Sequence, residues 1–167
     1  MRVEVVPAEY EHVEYLAHNL RQQDVDEVKA SSGLTPYEAL LSSFSYSDHD
    51  LRWTGLLDDT PLCMFGAAPL IQGSVESGAV WLLGTPRMHE YKVQVWKYST
   101  EYIRVMHGRY RILTNFIDYR NVRSLRWLTR LGFHPIHADP EFGHGRCLFI
   151  QYASFRELSP CVKSLQS

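Results

Sequence analysis

Long apolar runs are absent from this chain of 167 residues. No stretch approaches the roughly 18 apolar residues that a membrane-crossing helix requires. The opening "MRVEVVPAEY" carries no apolar run of the kind a secretory leader needs. Cysteine is scarce: Cys63, Cys147 and Cys161 are far apart and odd in number. That argues against a disulfide framework and fits reduced thiols in a cytosol-like compartment. Repeats and low-complexity tracts are absent as well.

What is present is an ordinary globular composition. Hydrophobic residues make up 45%, charged residues 22% and aromatics 13%. This length suits one domain with a real core. We expect that domain over residues 1–155, with a weakly patterned tail over 156–167. Net charge is −2, but it is uneven: residues 1–60 hold twelve acidic and four basic residues, and 87–130 hold ten basic and three acidic. Such asymmetry steers an anionic ligand to one side. Two oppositely charged solvated faces account for the same counts.

Patterning supplies an order of elements. Val3 to Val6 reads as a strand ended by Pro7. Glu9 to Gln23 has Val13, Leu16, Ala17 and Leu20 at helical spacing. Ala30 to Gly33 reads as a loop. Thr35, Pro36 and Glu38 form a capping box for a short helix to about Phe44. Leu51 to Leu57 and Leu62 to Ile71 form a hairpin about Asp58-Asp59-Thr60. Ala79 to Thr85 is an apolar strand stopped by Pro86. A helix over Met88 to Met106 and a strand over Arg109 to Ile117 follow. A helix opened by Asn121 comes next. Pro135 to Ala138 and Arg146 to Tyr152 make a closing hairpin around "DPEFGHG". A strand, helix and strand in mid-chain imply one parallel crossover in a largely antiparallel sheet.

The stretch "NVRSLRWLTRLGF" carries the most information. Asn121 can cap the helix, Ser124 keeps one face thin, and Gly132 suits a left-handed C-terminal position from which Phe133 packs back. Together with the element order, these residues resemble the signature helix of the GCN5-related N-acetyltransferase (GNAT) family. The resemblance implies an α/β fold of α+β type, with a mixed, mostly antiparallel central sheet and helices on both faces. From Ala79 to Tyr152, "VWLLGTP" and "LTNFIDYRNVRSLRWLTRLGF" also resemble the acetyltransferase-like internal virion proteins of short-tailed phages. That likeness implies a phage origin, phage virion or host proteins as partners, and a location in the virion or host cytoplasm.

The family's chemistry sets three requirements. A splayed strand must expose backbone to the pantetheine arm of acetyl-CoA. The resemblance assigns this to Trp81, Leu82, Leu83 and Gly84, where a bulge would free backbone groups. A loop must then offer N–H groups to the pyrophosphate. The family's loop is glycine-rich, yet "TPRMHEYKV" contains no glycine. Arg87 and Lys92 are the side chains placed to substitute charge for backbone donors, and Asn121 and Ser124 complete the expected cofactor set. Finally, a base and an acid are needed. The family's acidic tyrosine falls at Leu128, which donates no proton. Glu76 and Asp118 are the candidate bases and Tyr119 the candidate acid, although Asp118 also fits as a helix-start residue complementing the dipole.

Other clusters are less specific. His134, His137, Asp139, His144 and Cys147 match no zinc spacing, and we assign no metal. Arg120, Arg123, Arg126 and Arg130 make a basic stripe that suits a phosphate, the adenylate end of coenzyme A or DNA, or solvent. No nucleic-acid reading motif accompanies it. Trp81, Trp96 and Trp127 read as core packing. Two functions remain open. One is an acetyl-CoA-dependent N-acetyltransferase with an atypical pyrophosphate loop. The other, which the missing glycines and phenol favour, is a phage protein that keeps the fold as a structural or binding module with a degenerate site.

Overall fold

A computed structural model describes residues 2–157; the rest of the expected tail, with Cys161, lies outside the described residues. Seven strands form one sheet in the order β1-β2-β3-β4-β5-β7-β6. They are β1 (Val3–Pro7), β2 (Arg52–Leu57), β3 (Thr60–Pro69), β4 (Ser77–Gly84), β5 (Ile112–Asp118), β6 (His134–Phe142) and β7 (Cys147–Phe155). Five helices flank them: α1 (Tyr10–Ala17), α2 (Gln22–Ser32), α3 (Pro36–Tyr46), α4 (Lys92–Arg109) and α5 (Val122–Arg130). A 3-10 turn at Pro86–His89 precedes α4. Every strand pairing is antiparallel except β4 with β5, the pair that α4 connects. The mixed, mostly antiparallel sheet expected from the sequence is the one observed.

Local chemistry explains most elements. Thr35 accepts from the Glu38 N–H at 3.3 Å while Glu38 accepts from the Thr35 N–H at 2.8 Å, so the capping box starts α3. Asp58 and Asp59 take φ of 45° and 66°, the left-handed pair that a two-residue hairpin turn demands. Asn121 caps α5 by accepting from the Ser124 N–H at 3.0 Å. Apolar residues then divide between the two faces. Val13, Leu16, Leu40 and Met64 pack under α1 and α3, with Trp81 and Leu83 against them. Phe65, Met106, Leu113 and Phe133 form the core beneath α4 and α5, joined by Leu82 and Tyr102. The tryptophans are therefore divided. Trp96 and Trp127 meet edge-on at 5.2 Å, whereas Trp81 lies across the sheet and donates to Ser47 Oγ at 2.7 Å.

Several boundaries differ from expectation. The single helix over Glu9 to Gln23 is two, broken after Ala17, and α2 runs through the segment read as a loop at Ala30 to Gly33. Sequence pattern misses α2 because "QQDVDEVKASS" offers little beyond Val25 and Val28 for a core. Its ends are held by other parts of the chain. Gly33, at φ +73°, terminates it. The amides of His144 and Gly145 donate to the carbonyls of Ser31 and Ala30 at 3.1 and 2.7 Å. The tip of the β6–β7 hairpin thus satisfies carbonyls that a helix end otherwise leaves open. Those two strands are longer than read, reducing "DPEFGHG" to a short turn.

The feature that positions the site is a divergence within the sheet. β4 pairs with β5 only from Ser77 to Ala79, against Ile112 to Thr114. Beyond that point β4 continues with β3 as far as Gly84, and β5 continues with β7 as far as Asp118. The closed end is locked by Tyr110, buried against Gly78; a Cβ at Gly78 would lie 2.5 Å from its ring. The bulge expected at Trp81 to Leu83 is not there: β4 keeps unbroken register with β3, and backbone is freed by divergence from β5 instead. A register shift does occur between Gly55 and Leu56 of β2.

Candidate active site

The divergence opens a cleft of about 780 Å³, a volume in the usual range for a small-molecule site. Its walls come from both faces of the sheet: α4 and α5 on one side, α2 and α3 on the other, with the parted strands β4 and β5 between them. Trp81, Leu82, Leu83, Lys92, Asn121 and Ser124 all line it. These six residues, separated in sequence, meet along one cleft. Gly84 and Arg87 do not line it. Arg87 lies 3.8 Å from Glu90 in an exposed ion pair.

Glu27 is the titratable group that stands out. It projects from α2 into the cleft and accepts from Asn121 Nδ2 at 2.7 Å. Burial pushes its carboxyl up to about 7, with the nearby carboxylates of Asp24 and Asp118 adding to the rise and the Asn121 bond opposing it. Asn121 does three things with one side chain. It caps α5, receives Gln23 Nε2 and holds Glu27. A carboxyl poised near neutral pH in a cleft is suited to taking up a proton.

The three acid–base candidates from sequence lie outside this lining. Glu76 precedes the closed end of the divergence and is exposed, 3.5 Å from Arg111. Asp118 is buried, but Arg120 engages both its oxygens at 2.9 and 3.2 Å. Those hydrogen bonds hold it below the usual carboxylate range, so it is spent on an ion pair at the start of α5. Tyr119 is 58% exposed, and its backbone N–H donates to Leu148. Leu128 lines the cleft in the position where the family signature has a phenol.

The turn after β4 answers the question raised by its missing glycines. Within it the N–H groups of Met88, Glu90 and Tyr91 donate to carbonyls two or three residues back, and that of Thr85 donates to Leu62. These amides are already paired within the chain and do not form an anion cradle. Gly84 is also occupied within the chain. Its N–H donates to Asp24 Oδ2 at 2.9 Å, and its carbonyl accepts from the Arg21 N–H at 3.0 Å. The start of α2 thereby grips the end of β4. Arg21 Nε lies 2.9 Å from Asp24 Oδ2, an ion pair lacking hydrogen-bond alignment. Burial raises the Asp24 carboxyl, and Arg21 and Gly84 counter that rise.

Side-chain cations stand where backbone donors are lacking. Lys92, Arg21 and Arg123 border the cleft around His89, whose ring contacts Arg123 Nη1. Desolvation first, then the charges of Arg123, Arg21 and Lys92, push the His89 imidazole down, which keeps it neutral among the cations. Among the described residues no group of three or more His, Cys, Asp or Glu gathers as a metal site, and no helix is long and apolar enough to cross a membrane. Sequence reading missed Glu27 and Arg21 as site residues, while Arg123 entered only as one member of a basic stripe suited to a phosphate or to solvent. The signal for the first two was the helix stop at Gly33 preceded by Lys29 in the last turn, which marks α2 and therefore its inward face.

No protein-family model matches the sequence, and no curated protein matches it. Solved structures do. Ard1 from Thermoplasma volcanium superposes with a TM-score of 0.71 at 9% identity, over 95% of this chain and 100% of that one. A ribosomal-protein-alanine N-acetyltransferase from Brucella melitensis gives 0.68 at 12% identity, over 92% and 99%. A GNAT-family acetyltransferase from Bacillus anthracis gives 0.65 at 9% identity, over 93% and 95%. The fold is that of the GNAT acetyltransferases. Nothing in these comparisons links the chain to internal virion proteins of phages.

Proposed function

We propose that the chain is an acyl-CoA-dependent N-acyltransferase in which Glu27 is the general base. The observation that carries this reading is the parting of β4 from β5 into a cleft that Glu27 faces. The thioester arm would run along the unpaired edge of β4 beside Leu82 and Leu83. Its phosphates would meet Arg21, Lys92 and Arg123. The acceptor amine would approach from the α2 and α3 side. Its ammonium gives a proton to the Glu27 carboxylate. The freed nitrogen attacks the thioester carbonyl carbon and the C–N bond forms; the nitrogen releases its second proton to solvent, the C–S bond breaks, and coenzyme A leaves as thiolate. Water protonates that thiolate, because Leu128 cannot.

Calorimetry with acetyl-CoA, followed by thiol release with a panel of amines, tests this. We expect micromolar binding and turnover that Glu27→Gln abolishes while binding persists. Absence of heat with coenzyme A and acetyl-CoA alike would refute it.

A second reading has its own support. The grip of Asp24 and Arg21 on Gly84, with the spent amides of the 3-10 turn, favours a degenerate site. In that reading the chain is a binding module acting in a virion or on host proteins. Binding of coenzyme A without turnover on any amine, with co-purification in virions, would favour it.

A further inference from the structure

Helix α5 has the sharpest division between apolar and polar faces of any helix here, yet it buries none of its residues. An amphipathic helix ordinarily sinks its apolar stripe into a core. In this chain Leu125, Trp127, Leu128 and Leu131 are only half-buried, and the last three line the cleft. Facing them across the space are Ile103 and Met106 of α4. Phe133, fully buried from the main solvent, forms part of the same wall. Of these side chains, the six that line the cleft offer no strong hydrogen-bond donor or acceptor except the Trp127 indole. The space between α4 and α5, a chamber continuous with the gap between β4 and β5, is therefore walled mainly by apolar groups, with Ser99, Tyr102, Ser124 and Arg130 as polar members of the same lining.

Polarity changes along this space. Arg21, Lys92 and Arg123 border it around His89. An occupant must therefore carry anionic charge at one end and an extended apolar group at the other. A two-carbon acetyl group leaves the apolar walls formed by Ile103, Met106, Leu128 and Leu131 unfilled. Resting on the acyl-CoA reading above, we infer that the preferred donor is a medium-chain acyl-CoA, its alkyl chain lying between α4 and α5. The transfer is the same as before: the ammonium gives one proton to Glu27 and a second to solvent as the acyl carbon forms its C–N bond, and the C–S bond breaks to release the coenzyme A thiolate. Met106 suits this role, since its flexible thioether can shift to accept chains of different length.

Titration of the full chain with coenzyme A, acetyl-, butyryl-, hexanoyl- and octanoyl-CoA, below their micellar concentrations, tests the inference. We expect affinity to rise about fourfold for each added methylene until the chamber is full. Ile103→Trp, which puts an indole in the chamber, should flatten the series. Flat or falling affinity from acetyl- to octanoyl-CoA in the wild type would overturn the chamber while leaving the coenzyme A reading intact. Absence of heat with coenzyme A and every thioester would overturn both. A gradient equally steep in a folded Ile103→Trp would overturn the placement of the chain. Should that variant not fold, the wild-type series alone decides.

Discussion

Replacing Glu27 with Gln separates the stability of this chain from its chemistry. Gln keeps the shape and an oxygen able to accept from Asn121 Nδ2, now 2.7 Å from the Glu27 carboxyl. It lacks the charge that burial penalises. The Glu27 carboxyl is raised from 4.5 to about 7 in the folded chain. Between those values the folded state holds a proton that the unfolded state has released, so wild-type stability falls as pH rises through this window. Above 7 both states are ionised and the loss is complete. The displacement from 4.5 to about 7, at about 1.36 kcal/mol per tenfold change in proton affinity, corresponds to roughly 3 kcal/mol. Glu27→Gln removes that loss. Urea unfolding at pH 4 and pH 8 should therefore show the two proteins nearly equal in acid and the variant more stable by up to about 3 kcal/mol in base. Acyl transfer should be lost at pH 8, where the wild-type Glu27 is ionised and able to accept a proton. Equal stability at pH 8, or a variant weaker there than at pH 4, would mean that Glu27 is not a strained carboxyl, and the argument for a poised base would fail with it.

Three further outcomes follow from the geometry. Asn121→Ala should cost about 1 kcal/mol through loss of the α5 cap; by removing the bond that restrains Glu27, it should also move the rise of kcat/KM with pH upward from about 7. Gly84→Ala would set a Cβ 2.1 Å from Met88 Sδ and 2.9 Å from Cys63 Cβ, so overpacking of about 1–3 kcal/mol is expected in thermal unfolding, relieved in part by Met88→Ala. Lys92→Ala and Arg123→Ala should each weaken coenzyme A binding up to about fivefold, with a shallower salt dependence than the wild type in calorimetry.

Much of the architecture could be read from residues whose effect is local. Thr35 with Glu38, the Asp58-Asp59 turn and the Asn121 cap each act within a few positions, and each appears where the pattern put it. The parallel crossover was legible because an apolar strand, a long helix and another strand leave few ways to close a sheet. What was not legible depends on partners far along the chain. Helix α2 is weakly patterned and is held by Gly84, Asn121 and the Gly143 to Gly145 turn, which lie 60 to over 90 residues away. Glu27 looks like any surface glutamate until those contacts bury it. Asp118 shows the reverse: its place beside the signature asparagine suggests a base, but Arg120, two residues on, neutralises it.

Helix α2 is fastened at its start to β4, at its middle to the head of α5, and at its end to the β6–β7 turn. It therefore acts as a tie-rod across the two arms of a V. Any ligand that wedges the arms further apart must stretch or unfasten one of these joints, while one that draws them together relaxes all three. The resistance of the cleft to widening is thus set by a helix that contributes little to either core.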